Sequence, residues 1–305
     1  MIPCQTMKQN KPKVVIIVGP TASGKTGLAI KLAQEFPSEV ISADSRQVYR
    51  RLDIGTEKVT EEEMVGVPHH LLDVVDVDTI YTAVDYAKDA ATAISDISSR
   101  NSLPIVAGGT FFYIDTLLGR ISTPEVPPNL TLRAQLELLS TEELAAQLEQ
   151  LDPARAANID TNNHRRLTRA IEIATALGSV PKSQPVDCPY DVLMIGIETD
   201  RDVLRTRIRN RAQEALTKGL VEETKNLLAS GVSKERLSEI GLEYRLIMEY
   251  LDGDLNDEQL IQKLEEKNWQ YAKRQLTWLK RDKSIQWFDR DDEGVEEVVR
   301  EFVGN

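Results

Sequence analysis

Val14-Val-Ile-Ile-Val18 is an unbroken β-branched run that stops at Gly19-Pro20, the pattern of a strand buried on both faces. From Lys25 the apolar residues Leu28, Ala29, Leu32, Ala33 and Phe36 recur at helical spacing, and Pro37 ends them. Glu39 to Ala43 reads as a second strand that stops at Asp44. A strand, a glycine turn, a helix and a strand in that order form a βαβ unit, so a parallel sheet is expected. Farther on, the pattern predicts a helix from Val84 to Ser99, a strand from Leu103 to Ala107 closed by Gly108-Gly109, and a helix from Phe111 to Leu118. Val192 to Ile197 reads as a later core strand and Ile285 to Phe288 as the last. Between Ser122 and Pro189 the texture changes: Pro124, Pro127 and Pro128 open the stretch, helical patterns fill it, and Pro181, Pro185 and Pro189 close it. The expected fold is α/β, a P-loop core with a parallel sheet flanked by helices over residues 12–121 and 190–305. An all-helical insertion domain is expected over 122–189.

The turn after the first strand carries chemistry. Gly19-Pro20-Thr21-Ala22-Ser23-Gly24-Lys25-Thr26 fits G-x-x-x-x-G-K-[ST]. Its glycines let backbone N–H groups turn inward toward phosphate oxygens, the following helix adds its positive end, and Lys25 adds a full charge. Thr26 is placed to hold Mg²⁺. Such a match arises by chance on the order of once in a hundred chains of this length, and here a strand precedes it and a helix follows. The loop alone leaves the reaction open. The strand Leu103 to Ala107 ends in Gly108-Gly109-Thr110 without the acidic residue that supports Mg²⁺ in many phosphoryl-transfer enzymes, and no Asn-Lys-x-Asp for guanine is present. The phosphates are therefore expected to be bound for something other than ordinary phosphoryl transfer.

Asp44 ends the strand after the P-loop helix, on the sheet edge that lines ligand crevices in open α/β folds. It reads as a general base facing the phosphate site, although an aspartate there also suits a turn or helix cap. Ser45-Arg46-Gln47 follow with polar groups for a base edge, and Thr110 ends another strand on the same side. His69-His70 suggest a loop that packs or positions a substrate, since the chain's 3 histidines form no metal-ligand cluster.

Composition bounds these readings. The 305 residues carry 37 Lys+Arg against 49 Asp+Glu, a net charge of −12, which excludes a uniformly cationic nucleic-acid binder but not a basic groove. With 41% hydrophobic residues the chain can bury a sizeable core. No apolar run nears the roughly 20 residues of a membrane helix, and residues 1–13 show no secretory h-region, so no membrane partner and a cytoplasmic location are expected. Cys4 and Cys188 fit free thiols in a reducing compartment. No heptad run argues for assembly, and a monomer is expected.

Beyond the P-loop, Ser42-Ala-Asp-Ser-Arg-Gln-Val-Tyr49, Asp53-Ile-Gly-Thr56, Gly66-Val-Pro-His-His-Leu-Leu-Asp73, Ala107-Gly-Gly-Thr110, Gly219-Leu-Val-Glu-Glu223 and Tyr271-Ala-Lys-Arg-Gln-Leu-Thr-Trp278 occur in order. Together they resemble the bacterial tRNA dimethylallyltransferase family. The resemblance implies transfer of a dimethylallyl group from dimethylallyl diphosphate to the exocyclic N6 of the adenosine beside the tRNA anticodon, releasing pyrophosphate. It implies Mg²⁺, the anticodon stem-loop of tRNA as partner, Asp44 as the base that takes the amine proton, and Thr110 at the reaction site beside Lys25. It also implies RNA contacts at Asp44, Ser45, Arg46, Gln47 and Thr110, and in the insertion at Arg133 and at Arg165, Arg166, Leu167, Thr168 and Arg169. Arg207 and Arg211, one helical turn apart, are candidate diphosphate or RNA-backbone ligands. The chain departs from the family's pattern at Phe111-Phe112, at Ile240 to Arg245 and at Asn268-Trp269. A transferase acting on free adenine nucleotides, a small-molecule P-loop kinase and a non-catalytic nucleotide-gated RNA-binding module remain the alternatives.

The acidity is uneven. Residues 201–218 hold six basic against two acidic residues and 272–283 five against one. Residues 163–183 hold four basic against one, whereas 289–301 hold seven acidic against two. The three basic segments are expected to converge on one groove, with the acidic tail outside it.

Overall fold

The computed structural model describes residues 11–182, 184 and 186–304. Cys4 with the rest of residues 1–10, and Pro185, lie outside the described residues. The chain divides into two compact units, Met1–Leu118 with Cys188–Asn305, and Gly119–Asp187. The sequence places the corresponding boundaries at 122 and 189.

In the larger unit the chain runs β1 (Lys13–Val18), α1 (Lys25–Glu35), β2 (Ser38–Ser42), α2 (Glu61–Met64), β3 (His69–His70), α3 (Ala83–Ser99), β4 (Leu103–Gly108) and α4 (Phe111–Leu117). The smaller unit contributes α5 (Leu130–Leu136), α6 (Thr141–Leu151), α7 (Pro153–Ala156) and α8 (His164–Leu177). The larger unit resumes with β5 (Asp191–Glu198), α9 (Arg201–Lys218), α10 (Leu220–Ala229), α11 (Lys234–Ile240) and α12 (Leu242–Leu251). It ends with α13 (Asp257–Leu279), β6 (Gln286–Asp289) and α14 (Gly294–Gly304). The sheet is six-stranded in the order β3-β2-β4-β1-β5-β6, and every pairing is parallel.

The β-branched run of β1 makes sense at the middle of this sheet. Val14, Ile16 and Val18 face one side, against Tyr86, Ile94 and Ile97 of α3 and Ile114 of α4. Val15 and Ile17 face the other, against Leu28 and Leu32 of α1 and Val295 and Val299 of α14. A strand covered on both faces has no polar side, so its sequence cannot alternate. A separate apolar core joins α10 to α12 with the segment around Val48 and Leu52, and the smaller unit has its own, built on Leu136, Leu144, Leu148, Leu167 and Ile171.

His69 and His70 are not in a loop. They form a two-residue edge strand paired to β2, with Val40 opposite His69. His70 Nε2 lies 2.7 Å from Glu39 Oε2, and Arg100 donates to both oxygens of the same carboxylate at 2.8 and 2.9 Å. The pair therefore braces the sheet's edge. Its brevity, with Pro68 just before it, hides it from periodicity.

The carboxyl ends of β2 and β4 approach so closely that Gly108 has no room for a side chain: a Cβ there would lie 2.2 Å from the Ala43 carbonyl oxygen. Gly108→Ala must push the two strand ends apart and is expected to cost at least about 2 kcal/mol, near the middle of the range for overpacking. Urea or thermal unfolding checks this, and a wild-type midpoint would show that the strands are not held at this spacing.

Candidate active site

Three turns leave the carboxyl edge of the sheet side by side. The first, after β1, is the P-loop. Gly24 adopts φ 98°, a left-handed conformation that glycine accepts without strain, and α1 starts there with no side-chain cap. By contrast α3, α6 and α13 begin with full capping boxes. The first amides of α1 are thus left for a ligand. Ser23 is fully buried, and its hydroxyl has no hydrogen-bond partner among the described residues. Lys25 folds back, its Nζ donating to the Pro20 carbonyl at 2.7 Å. Burial, and then the charge of Arg211, lower its amine to about 7 against the raising influence of Asp44. The protonated form of Lys25 is thus held at a cost that an arriving polyanion would relieve.

The second turn carries Asp44. Its Oδ1 accepts from the Arg46 and Gln47 amides at 2.9 and 3.4 Å, so the residue is a turn aspartate and also a crevice residue. The third turn, after β4, brings in Thr110, which stands at the start of α4 but makes no side-chain cap. Its Oγ1 instead accepts from the Ser45 amide at 3.0 Å and its hydroxyl reaches Ser45 Oγ at 3.3 Å. The threonine is thereby fixed to the Asp44 turn.

Asp44, Thr56, Glu57 and Arg211 line two adjoining compartments. One, of about 420 Å³, is walled by Lys25, Thr26, Gly109, Arg207, Arg211 and Arg290. The other has apolar walls from Ile54, Ile208, Ala212, Leu220 and Leu264, and polar groups from Arg46, Glu243, Asn268, Tyr271 and Arg274. Arg207 Nη1 is buried without a partner among the described residues, an unmet donor in the first compartment. Arg211 pairs with Glu57, and burial lowers its guanidinium to about 10. Tyr271 is pushed up to about 12, by burial first and by Asp44 second, so its hydroxyl keeps its proton.

Of the residues expected around Asp44, Arg46 pairs with Glu243 at 3.0 Å. The Gln47 side chain is spent on the protein: it accepts from Ser42 Oγ and donates to the carbonyls of Thr56 and Glu57. In the smaller unit, Arg165 and Arg166 are exposed and Thr168 is half-buried, but Leu167 is fully buried in the core. Arg133 and Arg169 both converge on the buried carboxylate of Glu172. Of the basic segments, 201–218 and 272–283 meet where α9 packs on α13 and send Arg207, Arg211 and Arg274 to the crevice. The acidic tail is not wholly outside, because Arg290 lies over Gly24.

Sequence reasoning passed over Gln275 and Glu223. Buried Gln275 accepts from the Thr21 amide at 2.7 Å and donates to the Gly109 carbonyl at 3.0 Å, tying the first turn to the third. Its position four residues after Tyr271, on the same helix face, was the available signal. Glu223 accepts from the amides of Asp53, Ile54 and Gly55 at 2.9, 2.7 and 3.0 Å and from the Tyr244 hydroxyl at 2.8 Å, and so fixes the loop that walls the apolar compartment.

The sequence model of a family described as IPP transferase matches residues 47–282. A protein of Thermomicrobium roseum named tRNA dimethylallyltransferase is 44% identical over 97% of this chain and 92% of its own length. One of the same name from Staphylococcus haemolyticus is 40% identical over 96% and 92%. The crystal structure of the full-length tRNA isopentenylpyrophosphate transferase of Bacillus halodurans superposes with a TM-score of 0.72 at 37% identity, covering 96% of this chain and 97% of that one. A eukaryotic dimethylallyltransferase, from a study titled as crystallographic snapshots of the enzyme acting on tRNA, superposes with a TM-score of 0.79 at 28% identity, covering 94% and 77%.

The Gln275 bridge gives a test of the site itself. Gln275→Ala strands the Thr21 amide and the Gly109 carbonyl, each worth about 1–3 kcal/mol when left unmet. It is expected to weaken pyrophosphate binding about tenfold or more in titration calorimetry, and unchanged affinity would mean that the P-loop holds its shape without the bridge.

Proposed function

The chain belongs to the IPP transferase family, and from that premise we propose how its crevice carries out prenyl transfer to tRNA. The donor is dimethylallyl diphosphate and the acceptor is N6 of the adenosine beside the anticodon. The observation that carries this reading is the position of Asp44, shared by a cationic compartment and an apolar one. The cationic compartment suits a diphosphate and the apolar walls a dimethylallyl tail, which brings the reacting carbon to the carboxylate.

The allylic C–O bond breaks with its electron pair leaving on the diphosphate, while the N6 lone pair forms the new C–N bond. Lys25, Arg207 and the uncapped amides of α1 take up the charge that grows on the leaving group, in place before the reaction begins. Asp44 accepts the proton that N6 gives up. Its Oδ1 is held by two amides, which fixes the carboxylate's direction. Thr110 holds the Asp44 turn in register. The adenosine must leave its stack to enter.

The residues present fit Mg²⁺. An exposed threonine, Thr26, follows the P-loop lysine and lines the cationic compartment. That is the donor set for an ion carried mainly by diphosphate oxygens and waters. Thr26 would hold it, and the ion would neutralise charge on the leaving group.

Arg165 and Arg166 are assigned to RNA, and Arg133 and Arg169 to shaping the unit that presents them. Among the described residues no helix is long and apolar enough to cross a membrane. The reading takes the enzyme as a monomer acting in the cytoplasm, where its substrate is.

Asp44→Asn keeps the oxygen that accepts from the turn amides and loses the base. It should lower kcat by about 10²–10⁴-fold, the usual worth of a positioned general base, while tRNA affinity stays near wild type. Mass spectrometry of tRNA incubated with dimethylallyl diphosphate reads the product; near-wild-type turnover would sink the assignment. In the same assay AMP should not compete with an anticodon stem-loop.

A further inference from the structure

In the cationic compartment Lys25 reaches a carbonyl and Arg207 keeps an unmet N–H, but Arg211 is already matched by a carboxylate, that of Glu57. The two side chains are 35% and 31% exposed, so water reaches the pair and it can part. Both residues line the two compartments described above and a third cavity of about 520 Å³ beyond Thr26, where Lys58 and Lys218 stand. A carboxylate at this junction opposes the anion that the compartment suits. Glu57 also adopts φ 53°, a left-handed conformation that a residue with a Cβ rarely takes. Its amide donates to the Ile54 carbonyl and its own carbonyl accepts from Gln47 Nε2, both at 3.2 Å. Lys58, the next residue, is anchored to Asp53 and Asp73 at 2.6 Å each. With Glu223 holding the amides of Asp53, Ile54 and Gly55, the loop is fixed without help from the Glu57 carboxylate. The loop's own stability therefore explains neither the strained backbone nor the charge, and such a residue beside a ligand crevice points to function.

We propose that Glu57 is a displaceable counterion: it holds Arg211 while the compartment is empty, yields it to the phosphates of the incoming donor, and reclaims it as pyrophosphate leaves. The proposal rests on the prenyl-transfer reading above and adds a specificity-determining residue to it. In the empty protein the charge of Arg211 opposes that of Lys25, and a carboxylate on Arg211 offsets this until an anion comes. Once the anion is in place, the same carboxylate is its like-charged neighbour and limits how much negative charge the compartment accepts. Donor and leaving group share the same two phosphates, so grip that is equal for both lowers KM without speeding the reaction and holds the product back. A diphosphate meets a balance between Arg211 and Glu57. A longer polyphosphate brings more charge against the same carboxylate.

The test titrates wild type, Glu57→Gln and Glu57→Gly with inorganic pyrophosphate and with tripolyphosphate, by calorimetry and without RNA. The glutamine keeps the side chain's size and the glycine accepts the left-handed backbone, so the charge is removed by two independent routes. Both variants should bind pyrophosphate about fivefold tighter or more, the upper end for giving up a partly exposed ion pair, and the gain should be larger for tripolyphosphate. In an Arg211→Gln background, Glu57→Gln should lose most of that gain. In steady state, KM for dimethylallyl diphosphate and the inhibition constant of pyrophosphate should fall together while kcat does not rise. A role confined to holding the loop would instead lower the unfolding midpoint and weaken both anions. Pyrophosphate affinity unchanged or weakened in both variants overturns the proposal, and so does a gain that survives intact without Arg211. If wild type binds pyrophosphate and the variants merely match it, only the counterion falls; if wild type binds no pyrophosphate, the functional reading falls with it.

Discussion

The buried amide of Gln275 is the point on which the crevice depends. One end accepts from the first turn at Thr21 and the other donates to the third turn at Gly109. The parallel sheet brings the turns to one edge, Thr110 ties the third to the second, and Gln275 ties the first to the third. A side-chain amide with a donor and an acceptor at opposite corners couples two backbones of opposite polarity and leaves no orphan group. It comes from α13, whose Trp269 and Ala272 pack with Leu204 and Ile208 of α9 and with Ala22 of the P-loop. The helices that send Arg207, Arg211 and Arg274 to the crevice are thus also the ones that set the loop's shape.

This arrangement gathers positive charge that has nothing to pair with until a ligand arrives. Lys25 is half-buried near the charge of Arg211, Arg207 keeps an unmet N–H, and α1 begins uncapped. Such groups destabilise the empty protein, and the cores on both faces of the sheet offset the cost. In return, the donors need no reorganisation when charge develops on a leaving group, which is the larger part of electrostatic catalysis.

What the sequence revealed and what it hid follow the range of the interactions involved. β1, the P-loop, Asp44 and the Gly108-Gly109-Thr110 turn are local signals, each set by a few consecutive residues, and they fall where their spacing predicts. Gln275, Glu223, Arg290 and Glu243 act across more than a hundred residues of chain; Gln275 and Glu223 stand inside family-like blocks, but nothing in those blocks says which distant backbone groups they meet. His69-His70 show the same limit in reverse. Two adjacent histidines look chemical in isolation, and only the partner strand, with Glu39 on it, makes them structural.

The arginines of the smaller unit are alike in residue type and differ in what they meet. Arg133 donates through Nε and Nη2 to Glu172, and Arg169 adds a bond to the same carboxylate and another to the Val126 carbonyl. Glu172 also accepts from the Asn129 amide at 2.6 Å, which anchors the start of α5. Were either arginine to turn outward to a phosphate, a buried carboxylate would lose one of its two cationic partners and keep the other with the Asn129 amide. The exposed pair on the first turn of α8 faces no such penalty: Arg166 has only a loose 3.8 Å contact with Asp160, and Arg165 is open to solvent. Four arginines of identical charge therefore divide into two that hold the unit's shape and two that are free to meet an anionic backbone, and the division is set by Glu172.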